Sequence, residues 1–265
     1  MVSSPIVGFQ ATTLKVYLMG TVEGKLAIVT GAAGVVGMAV TRALIEDGLR
    51  VAMIDLDQGR LDTLATEISS NAIPVALDIS DPEQVGEVCE RLCRDHGEVE
   101  VLVNNAGLLT NNKAVETTTE EWRKLMSVNL DGCFYLSREC LPGMRTKRWG
   151  RIINICSLAM KTGGLTAGTA YTASKGGMGA LTFSLARECA SQGITVNGIA
   201  PAYIKTPMVT EQLSDEQRQK LLRDIPVGRF CEAEEIGHVV RFLTSPLAGF
   251  ITGEIIDING GLHLD

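Results

Sequence analysis

The feature that most constrains this fold is an alternation. Short apolar runs, partly β-branched, are separated by stretches with helical spacing. Leu26-Ala27-Ile28-Val29 ends in Thr30-Gly31 and reads as a strand buried on both faces. A helix is predicted from Met38 to Asp47, stopping at Gly48. Val51–Ile54 is the second predicted strand, Gln58–Ser69 a helix and Ile73–Leu77 the third strand. Pro82 stands at a first-turn position after Ser80-Asp81 and opens a helix to about His96. Val99–Val103 is the fourth strand. Glu120 to about Thr146 reads as one long helical region that tolerates Gly132 and Pro142-Gly143. Strand Arg151–Cys156, helix Thr169–Gln192, strand Ile194–Ala200, helix Glu232–Leu243 and strand Glu254–Ile258 complete the pattern. Strands joined by helices of this length form βαβ units, so the expected fold is α/β: a doubly wound, parallel, seven-stranded sheet of Rossmann type.

No linker, low-complexity segment or internal repeat divides the chain, so residues 22–265 read as one domain. Residues 1–21 lack a charged segment followed by an apolar core and a small-residue cleavage site, and read as a disordered extension rather than a signal peptide. Pro201, Pro207 and Pro226 interrupt residues 201–230. Within that span, residues 203–225, with a polar helix over Ser214–Arg223, read as a mobile lid over a substrate.

Composition narrows the function. A formal net charge of -7, with no basic run, argues against a nucleic-acid partner. No apolar run is long enough to span a membrane. The seven cysteines are scattered and odd in number, and Cys89 and Cys93 have no histidine or second pair nearby, so no metal site is expected. They read as reduced packing thiols of a cytoplasmic protein.

Two local patterns carry chemistry. Between the first strand and first helix lies Gly31-x-x-Gly34-x-x-Gly37. Glycine allows positive φ and close backbone approach, and the helix N-terminus behind it offers free N–H groups to a pyrophosphate. Asp55 closes the second strand, 24 positions after Gly31. A carboxylate there accepts hydrogen bonds from both adenosine ribose hydroxyls and repels a 2′-phosphate, which favours NAD over NADP. The second pattern is Tyr171 and Lys175, four apart on one helix face. An ammonium group beside a phenol favours the phenolate, so such a tyrosine can pass a proton to or from a substrate oxygen. Alone, the pair reads equally well as a surface contact; the glycine turn and Asp55 give it meaning.

With these residues in one chain, the sequence resembles the short-chain dehydrogenase/reductase family over about residues 22–265. Further motifs agree in order: Asn104-Asn105-Ala106-Gly107, Asp78-Ile79, Asn129 in Ser127-Val128-Asn129-Leu130, and Ser157 after the fifth strand. The resemblance implies Tyr171 as acid/base, Lys175 as the cation that favours its phenolate and binds the nicotinamide ribose, Ser157 as a donor to the substrate oxygen, and Asn129 as holder of a water leading to Lys175. It implies cofactor contacts at Gly31, Gly34, Val36, Gly37, Asp55, Leu56, Asp78, Ile79, Asn105, Ala106, Gly107, Pro201, Ile204 and Thr206. Three departures stand out. Val35 occupies a position where the common family turn has glycine, Ala202 replaces the glycine after Pro201, and the Ser157–Tyr171 interval is one residue long, with Gly163, Gly164 and Gly168 suggesting a flexible cleft wall.

The segment from Pro226-Val227-Gly228-Arg229 to Asn259-Gly260-Gly261 resembles the 3-oxoacyl-acyl-carrier-protein reductase branch most. The resemblance also implies basic residues for carrier docking; Arg148 fits, whereas Gln192 stands where a second arginine is expected. Together with Asp55 this favours an NAD-dependent dehydrogenase of a small secondary alcohol, a polyol, sugar or hydroxy compound, with the acyl-carrier-protein or coenzyme A ketoreductase as alternative. Leu109, Met160, Leu165, Tyr203 and Met208 are the candidate substrate contacts. A dinucleotide-sensing binding protein would need the glycine turn without the other four residues. The small residues Ala173, Gly176, Gly177, Ala180 and Ser184 on the tyrosine helix suit a homodimer or homotetramer.

Overall fold

The computed structural model describes residues 22–206 and 215–264. Seven parallel strands form one sheet in the order β3-β2-β1-β4-β5-β6-β7. They are β1 (Leu26–Thr30), β2 (Arg50–Asp55), β3 (Ala72–Ala76), β4 (Val99–Asn104), β5 (Gly150–Ile155), β6 (Ile194–Pro201) and β7 (Ile255–Ile258). The connecting helices are α1 (Val35–Glu46), α2 (Gln58–Ile68), α3 (Pro82–His96), α4 (Thr119–Met126), α5 (Gly132–Lys147), the short α6 (Ala159–Thr162), α7 (Thr169–Cys189), α8 (Asp215–Asp224) and α9 (Ala233–Thr244). Strand order reverses between β1 and β4, so the loops after their C-terminal ends part and leave a crevice, the usual ligand position in a sheet of this kind.

The continuous apolar strands follow from burial on both faces. Leu26 and Ile28 of β1 join a core beneath α3, α5 and α7, which contribute Val85, Leu136 and Leu185. Ala27 and Val29 face the opposite core, with Val40 of α1 and Val240 of α9. Each fully buried Leu or Ile of these layers contributes about 1.5–3 kcal/mol by leaving water. Helix starts obey local chemistry. Asp81 accepts from the Glu83 and Gln84 N–H groups at 3.0 and 3.1 Å ahead of Pro82, and these contacts hold its carboxyl below the ordinary value.

The long helix expected over residues 120–146 is divided. A π-helical turn, Ser127–Asp131, separates α4 from α5 and carries Asn129. The short α6 was not expected. Of the predicted lid, Asp215–Asp224 is helical, while 207–214, including Met208, lies outside the described residues, as do residues 1–21. Among the described residues no helix is long and apolar enough to cross a membrane. All seven cysteines are unpaired.

Candidate active site

The glycine turn is built to lie against a ligand's backbone-sized groups. Gly31 has φ +63°, and a Cβ there would stand 2.9 Å from the Ala106 Cα. A Cβ on Gly37 would stand 2.1 Å from the Gly31 carbonyl oxygen, so no side chain fits. Gly34 caps α1 without a side-chain hydrogen bond, so the first N–H groups of that helix face the crevice. Val35 stands 41% exposed as the first residue of α1, and Ala202 donates its N–H to Ile258. Neither has positive φ; among the described non-glycine residues only Arg148 does. Both positions therefore tolerate a side chain without strain.

Loop 104–108 is tied to this turn. The Thr30 Oγ1 accepts from the Asn105 and Ala106 N–H groups at 3.0 and 2.9 Å, and the Asn105 amide donates to the carbonyls of Thr30 and Gly31. Thr30 is thus a positioning residue that the sequence marked only as a strand end. Asp55 ends β2 with one oxygen accepting the Ala33 N–H at 3.0 Å and the other the Leu56 N–H at 2.8 Å. Leu56 is exposed beside it. Asp78 accepts from Ser80, and the Ile79 side chain is buried where a Cβ on Gly132 would meet it at 2.8 Å. That side chain belongs to the core, not to the crevice.

A cleft of about 720 Å3 opens over the sheet. Its walls include Val36, Asn105, Gly107, Pro201, Ile204 and Thr206. Ser157, Tyr171 and Lys175 face the same space. β5 delivers Ser157 from one side, and the first turn of α7 delivers Tyr171 from the other. Lys175, one turn further on, is 3% exposed; its Nζ lies 5.9 Å from the Tyr171 ring centroid and donates to the Ile155 carbonyl at 2.7 Å. Ser157 Oγ accepts from the Ala159 N–H at 3.2 Å, an orientation imposed by α6.

Asn129 is fully buried. Its amide donates to the Leu108 carbonyl at 2.9 Å and to Ser174 Oγ at 3.0 Å, and its oxygen accepts the Leu108 N–H at 2.8 Å. Ser174 in turn donates to the Tyr171 carbonyl at 2.8 Å. The π turn thereby couples the cleft loop to the tyrosine helix, a task that spacing alone did not reveal. A Cβ on Gly107 would approach the Asn129 Oδ1 and the Lys175 Nζ at 3.3 and 3.4 Å, so the two face one narrow gap that only glycine leaves open.

A smaller cavity of about 120 Å3 adjoins the cleft, and Leu109, Ser157, Thr166, Tyr171 and Tyr203 line both. Leu165 lines it as expected from its place in the chain; Leu158 and Leu262 were not anticipated. Met160 is a correction. α6 turns its side chain onto the tyrosine helix, where a Cβ on Gly179 would meet the methyl group at 2.3 Å, and it packs with Cys156 and Met178. The glycine-bearing wall is also held more firmly than expected. Lys113 Nζ donates to the carbonyls of Gly164 and Ala167, and the Gly168 and Thr169 N–H groups donate to those of Thr110 and Asn112.

Fold and site together define an oxidoreductase of the nucleotide-cofactor class: a parallel sheet with a phosphate-sized glycine turn at its switch point and a hydroxyl, a phenol and a buried ammonium around one cleft. A family model described as Enoyl-(Acyl carrier protein) reductase matches residues 31–263. The chain belongs to the short-chain dehydrogenase/reductase family, on its 3-oxoacyl-acyl-carrier-protein reductase-like side. The 3-oxoacyl-[acyl-carrier-protein] reductase FabG of Vibrio cholerae is 40% identical over 243 residues, covering 91% of this chain and 98% of that protein. The FabG of Escherichia coli K12 is 39% identical and that of Thermotoga maritima 37%, with the same coverage. A crystal structure titled short-chain dehydrogenase/reductase SDR:Glucose/ribitol dehydrogenase, from Brucella melitensis, superposes with a TM-score of 0.82 at 30% identity, covering 92% of this chain and 98% of that one.

Proposed function

We propose that the protein is an NAD(H)-dependent ketoreductase that interconverts 3-oxoacyl and 3-hydroxyacyl thioesters, the acyl group being carried on acyl carrier protein or coenzyme A. The names of the relatives support the acyl substrate over the small polyol or sugar expected from sequence. One observation carries the choice: the cavity beside Ser157 and Tyr171 is walled by Leu109, Leu158, Leu165, Pro201 and Leu262. An alkyl chain gains about 0.8 kcal/mol per methylene on leaving water for such a wall. A polyol hydroxyl among the same leucines loses water without a partner, at a cost of about 1–3 kcal/mol. The cofactor half of the expectation stands on Asp55, whose carboxylate at the end of β2 suits ribose hydroxyls and repels a 2′-phosphate.

A nicotinamide dinucleotide held at Gly31–Gly37 supplies or accepts the hydride; the chain's own groups manage the oxygen. With its lone pair engaged by the Ala159 N–H, Ser157 keeps its O–H for the substrate carbonyl oxygen. Tyr171 Oη gives that oxygen its proton in reduction and takes it back in oxidation. Lys175 steadies the charge left on the phenol oxygen, and Asn129 with a water returns the proton by way of Lys175. Leu221 of α8 reaches the cleft wall, which suits a lid built on residues 203–225. Four side chains gathered for proton transfer are more than a dinucleotide sensor needs. We place the protein in the cytoplasm, where unpaired thiols stay reduced.

The test is acetoacetyl-coenzyme A reduction with NADH and NADPH in parallel, and polyol and sugar oxidation with NAD+. Thioester reduction with NADH preferred is the expected result. Polyol oxidation without thioester reduction overturns the substrate, and a preference for NADPH overturns the reading of Asp55.

A further inference from the structure

The substrate reading above leaves chain length open, and the small cavity addresses it. Ser157 and Tyr171 belong to the walls of both the small cavity and the large cleft, so the reacting carbonyl sits where the two meet. One arm of the substrate must enter the small cavity, while the other leaves through the cleft toward the surface. A thioester with its bulky carrier has room only in the cleft, which leaves the acyl tail for the small cavity. That cavity has about 120 Å3. A 150 Å3 apolar cavity holds benzene, so this one holds about five carbons.

Its far wall is made by the end of the chain. Leu262, two residues past the turn that follows β7, closes the cavity together with Leu165. The tail is fixed in place: Asn259 Nδ2 donates to the His263 carbonyl at 2.8 Å, and Gly261 N–H donates to Asn259 Oδ1 at 2.9 Å. Across the mouth, the Thr166 and Tyr203 hydroxyls lie 3.3 Å apart and join the two walls. A longer chain therefore finds a stop rather than a slot open at both ends.

We infer that Leu262 sets an upper limit on acyl length, making the protein a ketoreductase for short and medium chains, up to about eight carbons when five follow the carbonyl at C3. This rests on the thioester reading. The experiment measures kcat/KM with NADH for 3-oxoacyl thioesters of N-acetylcysteamine from four to twelve carbons, for the wild type and for L262A, L262F and L264A. In the wild type each added methylene raises kcat/KM about fourfold until the cavity is full, and it drops at least about tenfold by twelve carbons. L262A moves the optimum up by about two carbons and L262F moves it down. L264A, altering a tail residue 87% exposed, leaves it in place. A wild-type profile rising through twelve carbons, or opposite Leu262 variants with the same optimum, overturns the inference while leaving the thioester reading intact. Failure with every thioester overturns both.

Discussion

At the scale of the residue, the site is a set of groups whose neighbours dictate what each can do. Asp55 is held by the Ala33 and Leu56 N–H groups, so its charge cannot swing away from a ligand at the turn. Replacing it with Asn removes the repulsion toward a 2′-phosphate. D55N is expected to shift the ratio of kcat/KM for NADPH over NADH upward by at least about tenfold, or about 1.4 kcal/mol. Steady-state kinetics with both cofactors reads this directly, and an unchanged ratio contradicts it. The thiols show the opposite situation, groups kept out of chemistry. Burial pushes Cys133 up to about 12 and Cys156 up to about 11, although Lys175 pulls both the other way. Cys93 and Cys231, the two that are only half-buried, are themselves raised, Cys231 to about 11, chiefly by burial. Native protein at pH 8 is therefore expected to take up iodoacetamide slowly and at no more than these two positions, with all seven labelled after denaturation; mass spectrometry counts them.

At the scale of the element, the strands were legible because burial on both faces writes a continuous apolar run. The helices around them were legible because caps such as Asp81-Pro82 are local. The π turn was not. Its i→i+5 hydrogen bonds leave the apolar spacing of α4 and α5 nearly intact, so residues 119–147 read as one helix. Asn129 was recognised, but its grip on Leu108 and Ser174 depends on that turn. N129A leaves buried groups without partners, which costs about 1–3 kcal/mol and about 2–4 °C of Tm for each kcal/mol. Differential scanning calorimetry should show that loss alongside reduced kcat, whereas an unchanged Tm would contradict the coupling. Met160 and Leu262 were illegible for a related reason: the direction of a short helix and the path of a tail are decided by what they land on. At the start of α9, Glu235 accepts from Arg229 at 2.6 and 2.9 Å and from the Glu232 N–H, and these contacts hold its carboxyl at about 2 against an ordinary 4.5. The folded form thus binds this proton less readily than the unfolded chain. The stabilisation is complete above pH 4.5 and is lost as pH falls toward 2. The group is exposed, so the effect is modest. Tm measured from pH 6 down to 2.5 should fall more steeply for the wild type than for E235Q.

At the scale of the whole molecule, the sheet's switch point places the glycine turn, Asp55 and the α7 side chains around one crevice, although they are far apart in sequence. Sequence spacing disclosed that constellation but not the shape of the substrate cavity, which arises from loops and tail meeting in space. The same helices leave Trp122, Phe134 and Phe183 exposed at 39, 42 and 50%. We propose that a second copy of the chain covers them, so light scattering should give at least a dimeric mass and F183E should lower it. The central claim is that Tyr171 moves the substrate's proton while the rest of the fold holds the dinucleotide. Y171F tests it most directly. The account predicts that the variant quenches or shifts NADH fluorescence with the wild-type Kd and loses at least about 100-fold in kcat for acetoacetyl-coenzyme A reduction. Turnover within a few-fold of the wild type would contradict it.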